Sequence, residues 1–410
     1  MTEIDSWQKK EVRHVGEVVT GTTPSTKKPE YYGDEFKLIS PADLDNGKYV
    51  TTAHRMLSSL GLEQCRILPK DTVLVGCIGN VGKIGMVADE KAATNQQINS
   101  VICNQDHDPN FVYYSLCYNR ERLEKVAVKT TVPILNKSNF ERFNLDIPRF
   151  PEQRYIAHIL STVQTAIEQQ TRLITLTQEL KQALMHKLFT EGLRGEKQKM
   201  TEIGPVPESW EVVELGSLVG ETEQVKLQTE GNRQIKYIDV SGISREYLRV
   251  ETTTDYLLKD APGRARKKVN TGDVIFATVR PTLLRVAFVN EELNNQVCST
   301  AFCVLRAKKD VSNKYIYYVV QHEQFIKQLA AIESGASYPA VTDKLVKKRK
   351  VPKPKHDEQI QIAEIFDVID KKIFQDAHKK IKLEELFRTL LNQLMTGQIR
   401  VNNIDLPGLT

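Results

Sequence analysis

The sequence predicts a mixed α/β protein in which two globular domains are joined by two long α-helices. Three features predict this architecture: an internal repeat, a long stretch free of proline and glycine at the end of each copy, and β-branched apolar runs before each stretch. A chain of 410 residues is also too long for one ordinary core. We therefore expect two similar halves.

The repeat consists of short motifs that recur in the same order at an offset of about 200 residues. This offset is far longer than a solenoid repeat, so each copy is expected to be a whole domain with its own long helix. The matching elements are Ser6 and Trp7 with Ser209 and Trp210, Asn95 and Gln96 with Asn295 and Gln296, Pro133 with Pro339, and Glu152 and Gln153 with Glu358 and Gln359.

Each half begins with a globular domain, predicted at residues 1–150 and 208–352. Residues 67–87 and 269–289 are apolar, β-branched runs interrupted by turn residues, which is typical of hairpins or meanders. Short helices are expected near Phe111–Val126 and Tyr315–Ile332. Charge, glycine and proline cluster in residues 195–207, which predicts a linker between the halves.

The long helices are predicted at residues 151–194 and 353–400, followed by a tail at 401–410. A helix of about 40 residues would be about 60 Å long, and a glycine follows each stretch (Gly192, Gly397) as a helix stop. The apolar stripes could pack on each other or each on its own domain; their similarity favours pairing as a coiled coil. The predicted packing residues are Ile156, Leu160, Val163, Ile167, Leu180, Leu184, Leu188, Ile362, Phe366, Ile369, Ile373, Leu386, Leu390 and Leu394.

The composition favours a globular protein and gives no sign of a membrane protein. Hydrophobic residues make up 40% and charged residues 27%, as in globular proteins, and the net charge of +5 permits a nucleic-acid partner without establishing one. We find no run of about 18 apolar residues and no apolar signal region, so no membrane partner is expected. The six cysteines lack CxxC spacing, which favours reduced thiols in a cytoplasmic protein.

Motifs for catalysis are missing. The segment from Gly79 to Lys83 resembles a phosphate-binding loop, but Cys77 replaces the first glycine and Ile84 the magnesium-binding hydroxyl. The segment from Asp108 to Phe111 lacks the second proline of an amino-methyltransferase motif. The sequence has no HExxH and no GxSxG. We therefore expect no catalytic, cofactor-binding or metal-binding residue in this chain.

A family resemblance rests on motifs in both halves. Gly21 to Pro24 and Ile39 to Leu44 lie in the first half, Gly204 to Trp210 opens the second, and a Pro…Glu-Gln…Ile-Ala element precedes both helices. In these motifs and their order the chain resembles the specificity subunits of type I restriction–modification systems. The resemblance covers essentially the full length.

The resemblance implies a DNA-binding subunit with no active site of its own. Each globular domain would be a target recognition domain that reads one half of a bipartite, asymmetric site in double-stranded DNA. The helices would pair antiparallel, set the spacing of the half-sites and dock two methyltransferase subunits, which methylate adenine at N6. S-adenosylmethionine, ATP and magnesium would be bound by those subunits and by separate restriction subunits.

Candidate DNA contacts follow from side-chain chemistry. Lysine and arginine suit phosphates, while arginine suits guanine and asparagine or glutamine suits adenine through paired hydrogen bonds. The phosphate candidates are Lys27, Lys28, Lys83, Lys129, Arg264, Arg266, Lys267, Lys268, Lys347, Lys348, Arg349 and Lys350, and the base or stacking candidates are Arg280, Arg285, Asn95, Gln96, Asn295, Gln296 and Tyr338.

A competing hypothesis is that the chain is a coiled-coil adaptor that binds proteins and has no DNA specificity.

Overall fold

The computed structural model describes residues 7–45, 47–128, 132–333 and 340–401. It divides into two compact units: the first contains residues 1–171 and 379–410, and the second contains residues 172–378. Each unit therefore holds one globular part and a portion of both long helices. The division falls inside the helices and not at the predicted linker.

The first unit is built mainly from short strands. Its elements are β1 Gln8–Glu11, α1 Val12–Val15, β2 Gly16–Thr20, β3 Tyr32–Ile39, β4 Tyr49–Val50, β5 Met56–Leu57, α2 Ser59–Glu63, β6 Leu68–Pro69, β7 Val73–Gly76, β8 Ile84–Val87, β9 Lys91–Thr94, β10 Ile98–Cys103, α3 Pro109–Tyr118, α4 Arg120–Val126, α5 Lys137–Glu141, β11 Asn144–Ile147 and the start of α6 Phe150–Glu191.

These strands form two sheets and an outlying pair. One sheet has the order β2-β10-β7-β8-β4, the other has the order β5-β3-β9-β6, and β1 pairs with β11. Strand β7 is buried along its whole length, as expected for a central strand rich in valine and leucine. Helices α3 and α4 occupy the region predicted to be helical, which confirms that prediction.

The second unit repeats this plan. Its elements after α6 are β12 Gln198–Thr201, β13 Gly204–Pro207, β14 Glu211–Glu214, α7 Leu215–Leu218, α8 Leu227–Glu230, β15 Gln234–Ile238, β16 Thr254–Leu257, β17 Ala265–Val269, β18 Val274–Ala277, β19 Val286–Phe288, β20 Gln296–Ser299, β21 Phe302–Leu305, α9 Asn313–Val319, α10 Glu323–Glu333, α11 Asp343–Lys347, β22 Lys350–Lys353 and α12 His356–Met395, of which the second unit holds the part up to His378.

Strand pairing shows that the two units share a topology. The pair β14-β22 corresponds to β1-β11, the sheet β19-β18-β21 corresponds to β8-β7-β10, and the parallel pair β15-β20 corresponds to β3-β9. Antiparallel pairing of β7 with β8 and of β18 with β19 confirms the predicted hairpins. Helices α9 and α10 confirm the second helical prediction.

The segment predicted as a linker has regular structure. Strands β12 and β13 form an antiparallel hairpin with Thr201 opposite Gly204. Gly204 has a φ of 98°, a backbone conformation that glycine adopts without steric cost. A short hairpin therefore follows α6 before the second globular part begins.

The two long helices are uninterrupted and end as predicted. Gly192 and Gly397 both have a φ of 69° directly after the final turns. Glycine is favoured at this left-handed position because it has no Cβ to clash with the preceding carbonyl. The two glycines predicted as helix stops are thus confirmed at the C-terminal ends of α6 and α12.

Both helices carry one continuous heptad stripe. In the first unit the start of α6 packs beside the end of α12, and in the second unit the end of α6 packs beside the start of α12, so the helices pair antiparallel. Residues at alternating three- and four-residue steps are all buried or half-buried, as coiled-coil packing requires. These are Gln153, Ile156, Leu160, Val163, Ile167, Gln170, Ile174, Thr177, Lys181, Leu184 and Leu188 in α6, and Gln359, Ile362, Phe366, Ile369, Ile373, Asp376, Lys380, Leu383, Phe387, Leu390 and Leu394 in α12.

For two of the predicted packing residues, the prediction that they pack between the helices is wrong. Leu180 is 53% exposed and Leu386 is 46% exposed. Both lie one position before a heptad residue, Lys181 or Phe387, which takes the inward place. The four-residue spacing to Leu184 and Leu390 made these leucines look like part of the stripe, but the heptad step at that point is three residues.

The helices also complete the cores of the globular parts. Ile156 and Leu160 are fully buried in the first unit's main core, together with Leu394. In the second unit Phe189 stacks on Phe366 with ring centroids 6.2 Å apart, inside the core that contains Trp210. The two packing schemes that the sequence left open therefore both occur: the helices pair, and their ends join the domain cores.

In each unit one tyrosine of the globular part donates a hydrogen bond to a long helix. The Tyr114 hydroxyl donates to Oε1 of Gln164 at 2.8 Å in the first unit. In the second unit the Tyr318 hydroxyl donates to Oδ2 of Asp370 at 3.1 Å. Burial raises the pKa of both phenols, so both stay protonated and able to donate.

Candidate nucleic-acid interface

The two segments that resembled catalytic motifs have structural roles. Gly79 to Lys83 joins strands β7 and β8, whereas a phosphate-binding loop leads into a helix. Asp108 is the N-cap of α3, and its side chain accepts a hydrogen bond from the backbone N–H of Phe111 at 2.9 Å. Neither segment has the surroundings that its motif requires.

The cysteines are poor nucleophiles. All six are free thiols, and burial is the largest influence on each of them. It raises the pKa of Cys77, Cys103, Cys117 and Cys303 to about 12. A thiol with so high a pKa carries almost no thiolate at neutral pH. Among the described residues, no group of three or more metal-ligating side chains is present.

The first predicted base-reading group is tied to the turn that follows β2. Asn95 accepts from the backbone N–H of Gln97 at 3.0 Å, and its Nδ2 donates to Oε1 of that residue. Oε1 of Gln96 accepts from the Thr23 hydroxyl at 2.8 Å. Gly21 lies so close to the backbone of Thr94 and Asn95 that a Cβ there would clash. These contacts explain why the turn at Gly21 and the pair Asn95 and Gln96 occur together in the same half. Of the two amide side chains, only that of Gln96 is exposed and available to DNA.

Asn295 and Gln296, which the sequence matched to Asn95 and Gln96, are not their structural counterparts, because they lie at the start of β20 whereas Asn95 and Gln96 follow β9. The place of Asn95 is taken by Ser299, whose hydroxyl accepts from the backbone N–H of Ala301 at 3.3 Å. Oε1 of Gln296 accepts from the backbone N–H of Lys236 at 2.7 Å, and its Nε2 donates to the carbonyl of Asn294 at 3.3 Å. The Asn295 carbonyl accepts from Arg233. Asn295 has a φ of 57°, a left-handed conformation that asparagine tolerates better than most residues. The Gln296 amide therefore satisfies backbone groups.

The structure brings two basic runs of the second unit together. Nζ of Lys267 lies 2.5 Å from Oδ2 of Asp343 in α11, the helix that ends at Lys347, and also donates to the Phe302 carbonyl at 2.6 Å. Lys267 is thus occupied internally, while Arg264 and Lys348 are exposed.

The remaining basic candidates of these runs have local partners. Arg266 donates to the Ala265 carbonyl at 3.0 Å, and Nε of Arg349 donates to the Leu345 carbonyl, also at 3.0 Å. Lys268 and Lys350 each lie 3.5 Å from a glutamate. Exposed ion pairs of this kind are weak, so these lysines can exchange a carboxylate for a phosphate at little cost.

The two arginines of the loop between β18 and β19 differ in environment. Arg285 donates from one terminal nitrogen to the Val240 carbonyl at 2.6 Å and to the Ile243 carbonyl at 3.1 Å. Arg280 is exposed, and its backbone is left-handed with a φ of 48°. Arg285 therefore supports neighbouring backbone, and Arg280 is the arginine displayed at the surface.

The other phosphate candidates lie on the first unit. Lys27 and Lys28 are exposed in the turn before β3, and Nζ of Lys28 lies 3.1 Å from the Tyr31 hydroxyl, which raises the pKa of this lysine. Lys83 is half-buried at the end of the loop after β7. Lys129 and Tyr338 lie outside the described residues.

Sequence reasoning missed a basic groove on the first unit. The groove has a volume of about 430 Å³ and is lined by α4, α5 and the start of β11. Three exposed cations line it, Arg122, Lys125 and Arg142, and none of its lining residues is acidic. The signal was weak because Arg142 is distant in sequence, although Arg122 and Lys125 have helical spacing.

No helix in the described part of the chain has the length and apolarity needed to cross a membrane.

The family model for the type I restriction modification DNA specificity domain matches residues 4–178 and again residues 207–385. The two matches cover most of both halves, so the repeat corresponds to two copies of this domain.

Curated relatives and a solved structure agree with this match. The chain is 26% identical over 341 residues to the type I restriction enzyme MjaVIII specificity subunit of Methanocaldococcus jannaschii, covering 79% of this chain and 77% of the relative. The MjaIX specificity subunit of the same organism is 21% identical over 97% of this chain and 94% of its own length. The fold is similar to that of a type I restriction–modification S subunit from M. genitalium, with a TM-score of 0.63, 17% identity and coverage of 96% and 97% of the two chains.

These matches do not support an adaptor without DNA specificity. Specificity subunits are the non-catalytic members of such systems, in keeping with the structural roles of the catalytic look-alikes described above. The chain belongs to the type I restriction–modification DNA specificity family.

Proposed function

We propose that this chain reads a bipartite, asymmetric DNA site, one half with each globular part, and that it holds two methyltransferase subunits on that site. The observation that carries the proposal is the duplication: one strand topology occurs twice, and two continuous helices contribute to both units. A paired helix is much stiffer than a glycine- and serine-rich linker, which suits two half-sites at a constant spacing.

Affinity would come from phosphate contacts. The groove of Arg122, Lys125 and Arg142 offers three cations without a competing carboxylate, and Arg264 and Lys348 are exposed on the second unit. Each phosphate contact releases counterions from DNA, so binding should weaken steeply as salt rises. Replacing Lys125 and Arg142 with glutamine should weaken binding to all duplexes and flatten the salt dependence.

Outward-facing apolar residues on the helices would dock the methyltransferase. Leu173 and Leu176 of α6 are 40% and 51% exposed in the second unit, where Leu180 continues the same three- and four-residue spacing. Such spacing suits a helix from a partner. Changing Leu176 and Leu180 together to glutamate should reduce co-purification of the methyltransferase and leave the chain folded.

The partner subunits would carry the chemistry. We propose that the methyltransferase subunits bind S-adenosylmethionine and methylate adenine at N6, and that restriction subunits use ATP and magnesium. The free thiols favour a cytoplasmic location, where cysteines stay reduced.

The decisive experiment uses the chain together with its methyltransferase. Gel shifts over a salt series should give tight binding to one site and weaker, more salt-sensitive binding to random duplex. Mapping of N6-methyladenine in a host that expresses both chains should give two short half-sites with a constant gap. A site with only one half, or methyl transfer by the purified chain alone, would contradict the proposal.

A further inference from the structure

The two units contain one loop in equivalent form. It joins β7 to β8 in the first unit (residues 77–83) and β18 to β19 in the second (residues 278–285). In each loop the second residue forms a β-bridge to a later segment: Ile78 pairs with Ile134, and Val279 pairs with Ala340. We call these segments the first and second hairpin loops.

Both hairpin loops have left-handed backbone at matching places. The third residue after the first strand and the second residue before the next strand have positive φ in each loop. In the first loop these are Gly79 and Gly82, with φ of 78° and 85°. In the second loop they are Arg280 and Leu284, with φ of 48° and 47°. The repeat therefore preserves a backbone shape even where the residue is not glycine.

This shape is strained in the second loop. A branched side chain such as leucine rarely adopts the left-handed conformation, because its Cβ approaches the carbonyl oxygen. Such conformations persist only where the surroundings impose them, and they concentrate at functional sites. Arg285 supplies part of that constraint by holding the carbonyls of Val240 and Ile243.

Each loop exposes a polar side chain next to its left-handed backbone, and the second loop exposes Thr282 as well. Asn80 and Arg280 are exposed, and each directly precedes a buried residue, Val81 or Pro281, that fixes the loop to the domain. The loops contain no aspartate or glutamate, so nothing within them repels the edge of a base pair or a phosphate. A rigid loop that holds an exposed amide or guanidinium group at its tip is suited to reading a base pair.

We propose that the two hairpin loops are the equivalent base-reading elements of the two halves, with Asn80 reading an adenine in one half-site and Arg280 a guanine in the other. An asparagine amide matches N6 and N7 of adenine, and a guanidinium matches O6 and N7 of guanine. Asn80 was not among the residues singled out from the sequence. The inference rests on the proposed function and assigns it to particular side chains.

The test is N6-methyladenine mapping in a host that expresses the methyltransferase with wild-type chain, Asn80→Ala or Arg280→Ala. Each variant should relax one position, and the two variants should relax different half-sites. Discrimination at that position should fall about 5- to 150-fold, the range for one lost bidentate base contact. Asn290→Ala and Arg194→Ala, which remove exposed side chains outside the loops, should leave the site unchanged.

Arg280→Lys separates base reading from charge. This variant keeps the positive charge and loses the paired hydrogen bonds, so it should relax the guanine position while the salt dependence of binding stays the same. Full discrimination by Arg280→Lys would make the contact a phosphate contact and overturn the inference. Unchanged sites in both alanine variants, or relaxation of the same half-site by both, would also overturn it. If wild-type chain directs methylation to no bipartite site, the proposed function itself fails.

Discussion

At the residue scale, equivalent positions in the repeat are used differently. Nε1 of Trp210 donates to Oε2 of Glu358 at 3.0 Å. Nε1 of the equivalent Trp7 is buried without a hydrogen-bond partner among the described residues, because Glu152 is held by Arg400 through contacts of 2.7 and 2.9 Å. An indole that donates to a carboxylate contributes to stability, whereas an unpaired one does not.

This difference predicts unequal effects of the same substitution. Trp210→Phe should lower the free energy of unfolding by about 1.5–3 kcal/mol, the range for a hydrogen bond to a charged group. Trp7→Phe should cost less because it removes a buried N–H that has no partner in the described part of the chain. Urea unfolding of the two variants measures both effects, and equal losses would contradict the prediction.

Acid sensitivity is a second residue-scale prediction. Burial, aided by the neighbouring His186, lowers the pKa of His322 to about 4, and its ring lies 4.8 Å from that of Phe189. The unfolded chain therefore binds this proton near pH 6.5 and the folded chain only near pH 4, so stability falls as the pH drops through that window.

At pH 5 the expected loss from His322 is roughly 2 kcal/mol. His322→Gln should remove this part of the acid sensitivity, while His14→Gln, a change at an exposed histidine of α1, serves as the matched control. Thermal unfolding between pH 7 and pH 5 measures the difference. An unchanged pH dependence in His322→Gln would contradict the assignment.

The residue scale is also where sequence reasoning was weakest. The sequence shows that Lys267 and Arg285 are basic, but their partners, Asp343 and two backbone carbonyls, are remote in sequence or carry no side-chain signal. Asn80 was overlooked because a short Gly-Asn-Val-Gly turn has no chemical signature until its equivalence to the loop of Arg280 is visible in three dimensions.

At the scale of elements, helix position and ends could be predicted, whereas the inward register could not. Freedom from proline and glycine and the terminal glycines Gly192 and Gly397 define α6 and α12 well. The stripe itself contains polar residues such as Gln170 and Lys181, so neighbouring leucines competed for its positions. Register depends on the partner surface, which a single helix sequence does not describe.

Gln170 and Asp376 occupy the same heptad position near the middle of their helices. Each is buried in its unit and has one side-chain atom without a hydrogen-bond partner among the described residues, Nε2 of Gln170 and Oδ2 of Asp376. Buried polar residues at such positions lower stability and specify coiled-coil register.

Gln170→Leu should therefore raise the free energy of unfolding by about 1–3 kcal/mol, since it removes an unsatisfied amide. Gln169→Leu, a change at the exposed neighbouring position, is the matched control and should have little effect. Urea unfolding gives both values. A destabilised Gln170→Leu protein would mean that the amide has a partner that matters for stability.

At the scale of the whole molecule, the duplication was the most predictable feature, because repeated motifs in a constant order survive divergence of the residues between them. How the duplication places the two ends of the chain could be seen only in the structure. In the second unit Gly192, the β12–β13 hairpin and Trp210 lie along one continuous segment of chain beside Glu358. In the first unit the equivalent groups come from the two ends of the chain: a Cβ on Gly397 would lie 4.0 Å from Cε2 of Trp7, and Arg400 binds Glu152.

The two junctions are thus equivalent except that one is covalent, and this predicts that the break can be exchanged. A circular permutant that joins Thr410 to Met1 through a short glycine- and serine-rich linker, and opens the chain in the turn between Thr201 and Gly204, should fold and direct methylation to the same site. Exposed turns tolerate such cuts. Opening the chain at Gln178, inside α6, should abolish folding because it divides the heptad stripe. A turn-opened permutant that is unfolded, or that changes the gap between half-sites, would show that the covalent link at residues 192–210 does more than connect two copies of one domain.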